Sequence, residues 1–224
     1  EKLRDPVAFR WFAEGRSKIV PELAPLPPDY TDKYKRGLQT QSGKLEFECS
    51  SLKRFAPDDP ERPPLNKYIP AWEGHHTKEL YEKYPLQLIS PHPRFTFHTH
   101  HDSHVPWLSE IPGHRMPKDG YDYWVVRINP VDAQARGIRQ GDVVRLYNDR
   151  ASVLGIAHVT ERVRPGVVHS YEGSAKYDPL EPGKAGTTDR GGCVNMLTPG
   201  RLMSKNVPGM APNSCLIEIA RWEA

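Results

Sequence analysis

INPVDAQARGIRQGDVVRLYN, residues 128–148, is the stretch on which the fold turns. Asn129 can cap a short helix, Pro130 suits its first position because the missing N–H would be unpaired there anyway, and Gly137 closes it. Asp132, at the third helical position, is placed to accept from backbone amides. Gly141-Asp142 then turns the chain into a strand over residues 143–147. Working outward, strand patterns recur at residues 86–89, 123–128 (YWVVRI), 152–160, 167–171 and 214–219, with turns at 148–150 and at Pro165-Gly166. Short strands separated by turn signals roughly 8–12 residues apart, with one small helix, predict a mainly β protein built on a closed or nearly closed barrel of six strands. Val143, Leu146, Val153, Ile156, Val159, Val167 and Val168 are expected to fill it. A barrel this small holds side chains and no ligand. Any site must therefore sit on the rim, in the polar loops 90–122 and 172–213.

Composition narrows the classes further. The chain has 224 residues with 23 prolines, 17 glycines, 37% hydrophobic and 26% charged residues, and a mean hydropathy of −0.68. Collagen and wholesale disorder are excluded, and no apolar run approaches the ~18 residues needed to span a bilayer. A net charge of +3 with interspersed signs argues against a nucleic-acid binder. Cys49, Cys193 and Cys215 lie far apart without a CxxC pair, so they are expected to be buried small hydrophobes. The opening EKLRDPVAFRWFAEG does not read as a signal peptide and lacks an initial Met, which predicts a fragment or processed chain.

Ten prolines precede residue 80. Residues 1–84 are therefore expected to form a proline-rich extended segment that wraps a surface or serves as a linker, ahead of a barrel domain over 85–224. Within it, Asp5 and Pro6 predict a helix over residues 6–14, and PELAPLPPDY a stiff linker. QSGKLEFEC predicts a turn at Ser42-Gly43 and a strand carrying Leu45, Phe47 and Cys49 on one face. Residues 50–76 read as mostly irregular.

The most conspicuous chemical feature is His98-Thr-His100-His101-Asp102-Ser-His104. It nearly matches the HxHxDH signature of metallo-β-lactamase-fold hydrolases, but Ser103 breaks the spacing, and nothing downstream supplies a clear set of second-site ligands, although His158 and His169 are present. The alternative to a metal-dependent hydrolase is a polar loop whose histidines hydrogen-bond, some of them to a ligand. Gly191-Gly192-Cys193 would let backbone approach a ligand closely, without the strand and glycine spacing of a dinucleotide fingerprint. No P-loop or GxSxG elbow occurs.

A resemblance covers more of the chain than any of these. LISPHPRFTFHT (88–99), the 128–148 stretch, VRPGVV (163–168), GCVNMLT (192–198) and PNSCLIEI (212–219) follow, in order, the elements of the molybdopterin dinucleotide binding domain. This is the C-terminal domain of the dimethyl sulfoxide reductase superfamily, and SGKLEF (42–47) resembles the segment that commonly precedes it. HPRFTFH with CVNMLTP looks most like the branch containing pyrogallol–phloroglucinol transhydroxylase large subunits. The resemblance implies a six-stranded double-psi β-barrel. It implies a bis-molybdopterin guanine dinucleotide carrying molybdenum or tungsten, bound in a complete oxidoreductase or hydroxyl transferase acting on polyhydroxylated aromatics. The fragment alone would be inactive. Its partners would be the N-terminal catalytic domains of the same enzyme and an iron–sulfur subunit, with no nucleic acid and no membrane span. A cytoplasmic location is the expectation, and a periplasmic one stays open.

On that resemblance the cofactor-binding residues are Ser90, His92, Arg94, His98, Thr99 and His100 in the first loop, with Asn195 and Asn213 in the late loops. Arg94 would fork onto a phosphate, His98 and Thr99 would meet the pterin, and the two amides would pair with ring edges. Trp107, like Trp124 and Tyr171, is expected to be a core or interface aromatic, with a place at the border of the cofactor as its alternative. No catalytic residue and no protein ligand to the metal is expected from this domain. A double-psi barrel serving as a protein-interaction module is the remaining alternative.

Overall fold

The computed structural model describes residues 38, 40–98, 105–172, 176–204, 207–210 and 214–223. The chain divides into two compact units, Glu1–Lys67 and Tyr68–Ala224.

In the first unit the turn at Ser42-Gly43 is present. Gly43 sits at φ 67°, and the Thr40 hydroxyl donates to the Lys44 carbonyl at 2.6 Å. The strand expected after it does not form. Among the described residues this segment makes one bridge, Glu48 with Leu65, and then enters a helix, α1 (Ser50–Phe55). Leu45 and Phe47 are 69% and 79% exposed and Cys49 is exposed too, because no strand among the described residues offers them a face to cover. The helix expected over 6–14 lies outside the described residues.

The second unit opens with the helix α2 (Lys78–Lys83) and contains the barrel. Its strands are β1 (Leu86–Ile89), β2 (Arg115–Lys118), β3 (Tyr121–Ile128), β4 (Val143–Tyr147), β5 (Ser152–Val159), β6 (Val167–His169) and β9 (Ser214–Arg221), while β7 (Leu202–Ser204) and β8 (Val207–Met210) form a separate ribbon. The sheet runs β2-β3-β5-β4-β9-β1-β6, and β6 pairs back onto β3, so six strands close. Two pairs, β3 with β5 and β1 with β6, are parallel, and the other four are antiparallel. This is the mainly β, six-stranded barrel expected from the sequence. β2 escaped notice because Pro117 and the nearby charges disguise an edge strand paired with β3.

The helix after β3, α3 (Pro130–Ala135), is capped as expected: Asn129 Oδ1 accepts from the Val131 amide at 2.9 Å. The same side chain donates to the Val163 carbonyl at 2.7 Å, and Asp132 accepts from the Gly166 amide at 2.7 Å. Two polar side chains thus fasten the helix to the turn before β6.

Interior side chains come from one face of each strand. Leu146, Val153 and Val168 belong to the buried cluster, with Val159 packed against it. Val143 and Val167 are only half-buried, because strand alternation turns Val144 and Val168 inward in their place. Ile156 is buried outside that cluster. Gly155 in β5 lets β3 come close. A Cβ there would lie 2.5 Å from Val126 Cγ2 and 3.0 Å from the Trp124 carbonyl oxygen.

Candidate cofactor-binding rim

Strand directions decide which loops meet. Because β1 and β6 run parallel, both leave the barrel at the same end, as do the C-terminus of β4 and the N-termini of β3, β5 and β9. The loops after β1 and β6 are laced together there. The Ser170 amide donates to the Ile89 carbonyl at 3.1 Å, and the Glu172 amide to the Pro91 carbonyl at 2.8 Å. Ser90 is buried at this junction, 2% exposed.

Beyond it His92 and His98 converge on one carboxylate. Glu172 Oε1 lies 2.5 Å from His92 Nδ1 and 3.1 Å from His98 Nδ1, and the two rings meet edge to face with centroids 4.3 Å apart. Two prolines flank His92 and narrow its backbone choices. His98 has φ 54°, a conformation that side chains resist, and the Thr96 hydroxyl donates to its carbonyl at 2.7 Å. Arg94 is exposed, its guanidinium lies over the Phe95 ring at 5.4 Å, and it has no ion-pair partner among the described residues.

Across the rim, the 176–193 segment is pinned to β3. The Tyr121 hydroxyl donates to Asp178 Oδ2 at 2.9 Å, and Arg190 donates to the same oxygen at 3.0 and 3.2 Å. Burial and the neighbouring Asp178 push the Tyr121 phenol well above its ordinary range. Burial would raise Asp178, but the bonds from Tyr121 and Arg190 outweigh it and hold the carboxyl low. Lys176 Nζ and the Arg190 guanidinium both lie over the Tyr121 ring, at 4.2 and 4.3 Å. Fully buried Asp189 gathers three amides, those of Asp178, Gly191 and Cys193.

The close approach that Gly191 and Gly192 permit is to protein. A Cβ on Gly191 would lie 1.5 Å from the Lys176 carbonyl oxygen, and one on Gly192 2.3 Å from Trp124 Cβ. Below them, Glu73 and Arg150 form a bidentate pair at 2.6 and 2.9 Å. Arg150 also donates to the Leu197 carbonyl, and Glu73 accepts from the Leu216 amide.

The structure thus brings Ser90, His92, Arg94 and His98 to one rim. Asn195 is exposed on a one-turn 3-10 helix (Val194–Leu197), and Trp107 is 68% exposed. Thr99, His100 and Asn213 lie outside the described residues, as does the rest of the histidine run up to His104. His158 and His169 sit instead on β5 and β6. Burial and then the Arg127 charge lower the pKa of both. Glu172, Lys176 and Arg190 are rim residues that the sequence did not disclose. Each is isolated in sequence, and only the parallel pairing and the fold of the 176–193 segment bring them to the site.

A closed six-strand barrel with a filled interior defines the class of domain. The chain belongs to the molydopterin dinucleotide binding domain family, whose sequence profile matches residues 86–215. It is 50% identical over 97% of its length to the pyrogallol hydroxytransferase large subunit of Pelobacter acidigallici, and 38% identical over 89% to the dimethyl sulfoxide reductase DmsA of Escherichia coli. It spans 25% and 22% of those two proteins. Among solved structures it is similar to acetylene hydratase from Pelobacter acetylenicus, with a TM-score of 0.60 at 17% identity over 88% of this chain and 26% of the other, a likeness of fold.

Proposed function

We propose that this chain is the cofactor-closing C-terminal portion of a larger bis-molybdopterin guanine dinucleotide enzyme that transfers hydroxyl groups among polyhydroxylated aromatics. The observation that carries this reading is the 50% identity, across 97% of the chain, to a pyrogallol hydroxytransferase large subunit. The rim residues suit the group. An anionic dinucleotide needs a cation, which the exposed Arg94 offers, and ring edges need the imidazoles and amides that His92, His98 and Asn195 offer. Thr99, His100 and Asn213 complete the proposed set, with Ser90 at the base of the loop. When bound, the group supplies a redox-active or Lewis-acidic metal, and the catalytic domains of the same enzyme supply the remaining contacts. An iron–sulfur subunit is a further proposed partner.

The test is made on the full-length gene product, purified anaerobically. Elemental analysis is expected to find molybdenum or tungsten together with pterin, and the protein is expected to exchange hydroxyl groups between pyrogallol and a second hydroxylated benzene. Arg94→Ala and His98→Ala should lower cofactor content severalfold. A well-folded full-length protein lacking both metals and pterin would sink the reading.

A further inference from the structure

Glu172 belongs to none of the motifs in the sequence, yet two imidazoles address a single one of its oxygens. A carboxylate oxygen can only accept, so each Nδ1 must carry the proton. In a neutral ring that leaves the lone pair on Nε2. Neither Nε2 has a hydrogen-bond partner among the described residues. The Glu172 backbone is held by the bond from its amide to the Pro91 carbonyl, and its side chain is 16% exposed against 66% and 46% for the two histidines. The anchor is therefore shielded while the rings face outward.

The three residues also have the composition of a metal site, with candidate ligand atoms all within 4.8 Å of one another. The spacing favours hydrogen bonds. Two ligands each ~2.0–2.1 Å from a tetrahedral zinc stand roughly 3.3 Å apart. Both nitrogen–oxygen separations here, 2.5 and 3.1 Å, are shorter than that.

We propose that Glu172 is a positioning residue that locks His92 and His98 in the Nδ1–H tautomer. The rim thereby becomes a subsite with two outward acceptors, for a 2-amino-4-oxopyrimidine edge such as pterin or guanine carries. This deepens the cofactor reading and rests on it. That edge presents a ring N–H beside an exocyclic amino group, two donors side by side for the two Nε2 lone pairs of a histidine pair in edge-to-face contact. A phosphate has only acceptors to offer and would meet two lone pairs backed by a carboxylate. The phosphates belong with Arg94 instead.

The experiment uses the full-length protein, prepared free of cofactor, with 15N-labelled histidine. Long-range 1H–15N spectra of the wild type are expected to show both rings as Nδ1–H, and Glu172→Ala should move both toward the Nε2–H form. Titration with 6-hydroxymethylpterin and with guanosine identifies which ring the subsite takes. Glu172→Ala should weaken the better of the two at least tenfold, while binding of inorganic pyrophosphate changes less than twofold. Glu172→Gln keeps one acceptor oxygen and should fall between, so the comparison survives even where the alanine variant folds poorly.

Three results would overturn the proposal: an Nε2–H tautomer on either ring of the wild type, pyrophosphate weakened with the heterocycles unaffected, or stoichiometric zinc lost in Glu172→Ala. If neither heterocycle binds the wild type, the subsite is overturned as well. Cofactor retained by the full-length protein would then show that the broader reading stands without it.

Discussion

Burial separates the three cysteines chemically. The Cys215 thiol is fully buried in β9, and its pKa is pushed up to about 12 by that burial. Cys193 is raised by burial and by the nearby Asp189 carboxylate, whereas Cys49 is exposed. Since only thiolate reacts, iodoacetamide at mildly alkaline pH should label Cys49 first, Cys193 slowly and Cys215 only after unfolding, as followed by peptide mass spectrometry. The sequence suggested three equivalent buried thiols, and it had no means of telling that the segment around Cys49 pairs with no strand among the described residues. Glu73 belongs to the same scale. Replacing it with alanine leaves Arg150 without its carboxylate and the Leu216 amide unpaired, a loss of about 3 kcal/mol measurable by denaturant unfolding.

At the level of elements, glycines set the closest approaches. Gly155→Ala would force Val126 and the β3 backbone away from β5, at about 1–3 kcal/mol. Gly192→Ala is expected to cost more, because its Cβ would overlap the Trp124 Cβ, which the backbone fixes, and φ 91° already disfavours a side chain. Thermal unfolding of both variants, with the larger fall in Tm for Gly192→Ala, is the check. The elements themselves were largely legible. Asn129, Pro130, Gly137 and Gly141 punctuate the chain so sharply that strand, helix, turn and strand follow from local chemistry. What was not legible was the target of the Gly191-Gly192 approach. That target is Trp124 and the Lys176 backbone, both distant in sequence.

For the barrel unit as a whole, two histidines link stability to pH. His158 and His169 have folded pKa values depressed by burial and then by Arg127, and Arg127 Nη1 lies 3.3 Å from His169 Nδ1. A depressed folded pKa means that the unfolded chain binds protons first as pH drops below the ordinary value of about 6.5. Their contribution is thus complete above that value and is lost as pH falls through the folded values. Tm should decline from pH 7 toward pH 5, and His169→Gln should flatten the decline. An unchanged slope in that variant would show that other groups dominate.

By itself the sequence determined the six strands of the barrel, the capped helix and the filled interior. These depend on neighbours a few residues apart, where capping, φ preference and alternation act. It also marked Ser90, His92, Arg94 and His98, since they share one loop. Only the tertiary structure decided that β1 and β6 run parallel, and that pairing sets Glu172 against two histidines some seventy-four and eighty residues away. A hydrogen bond between groups so far apart in the chain leaves no local pattern, because the energy that selects it is released only when the barrel closes.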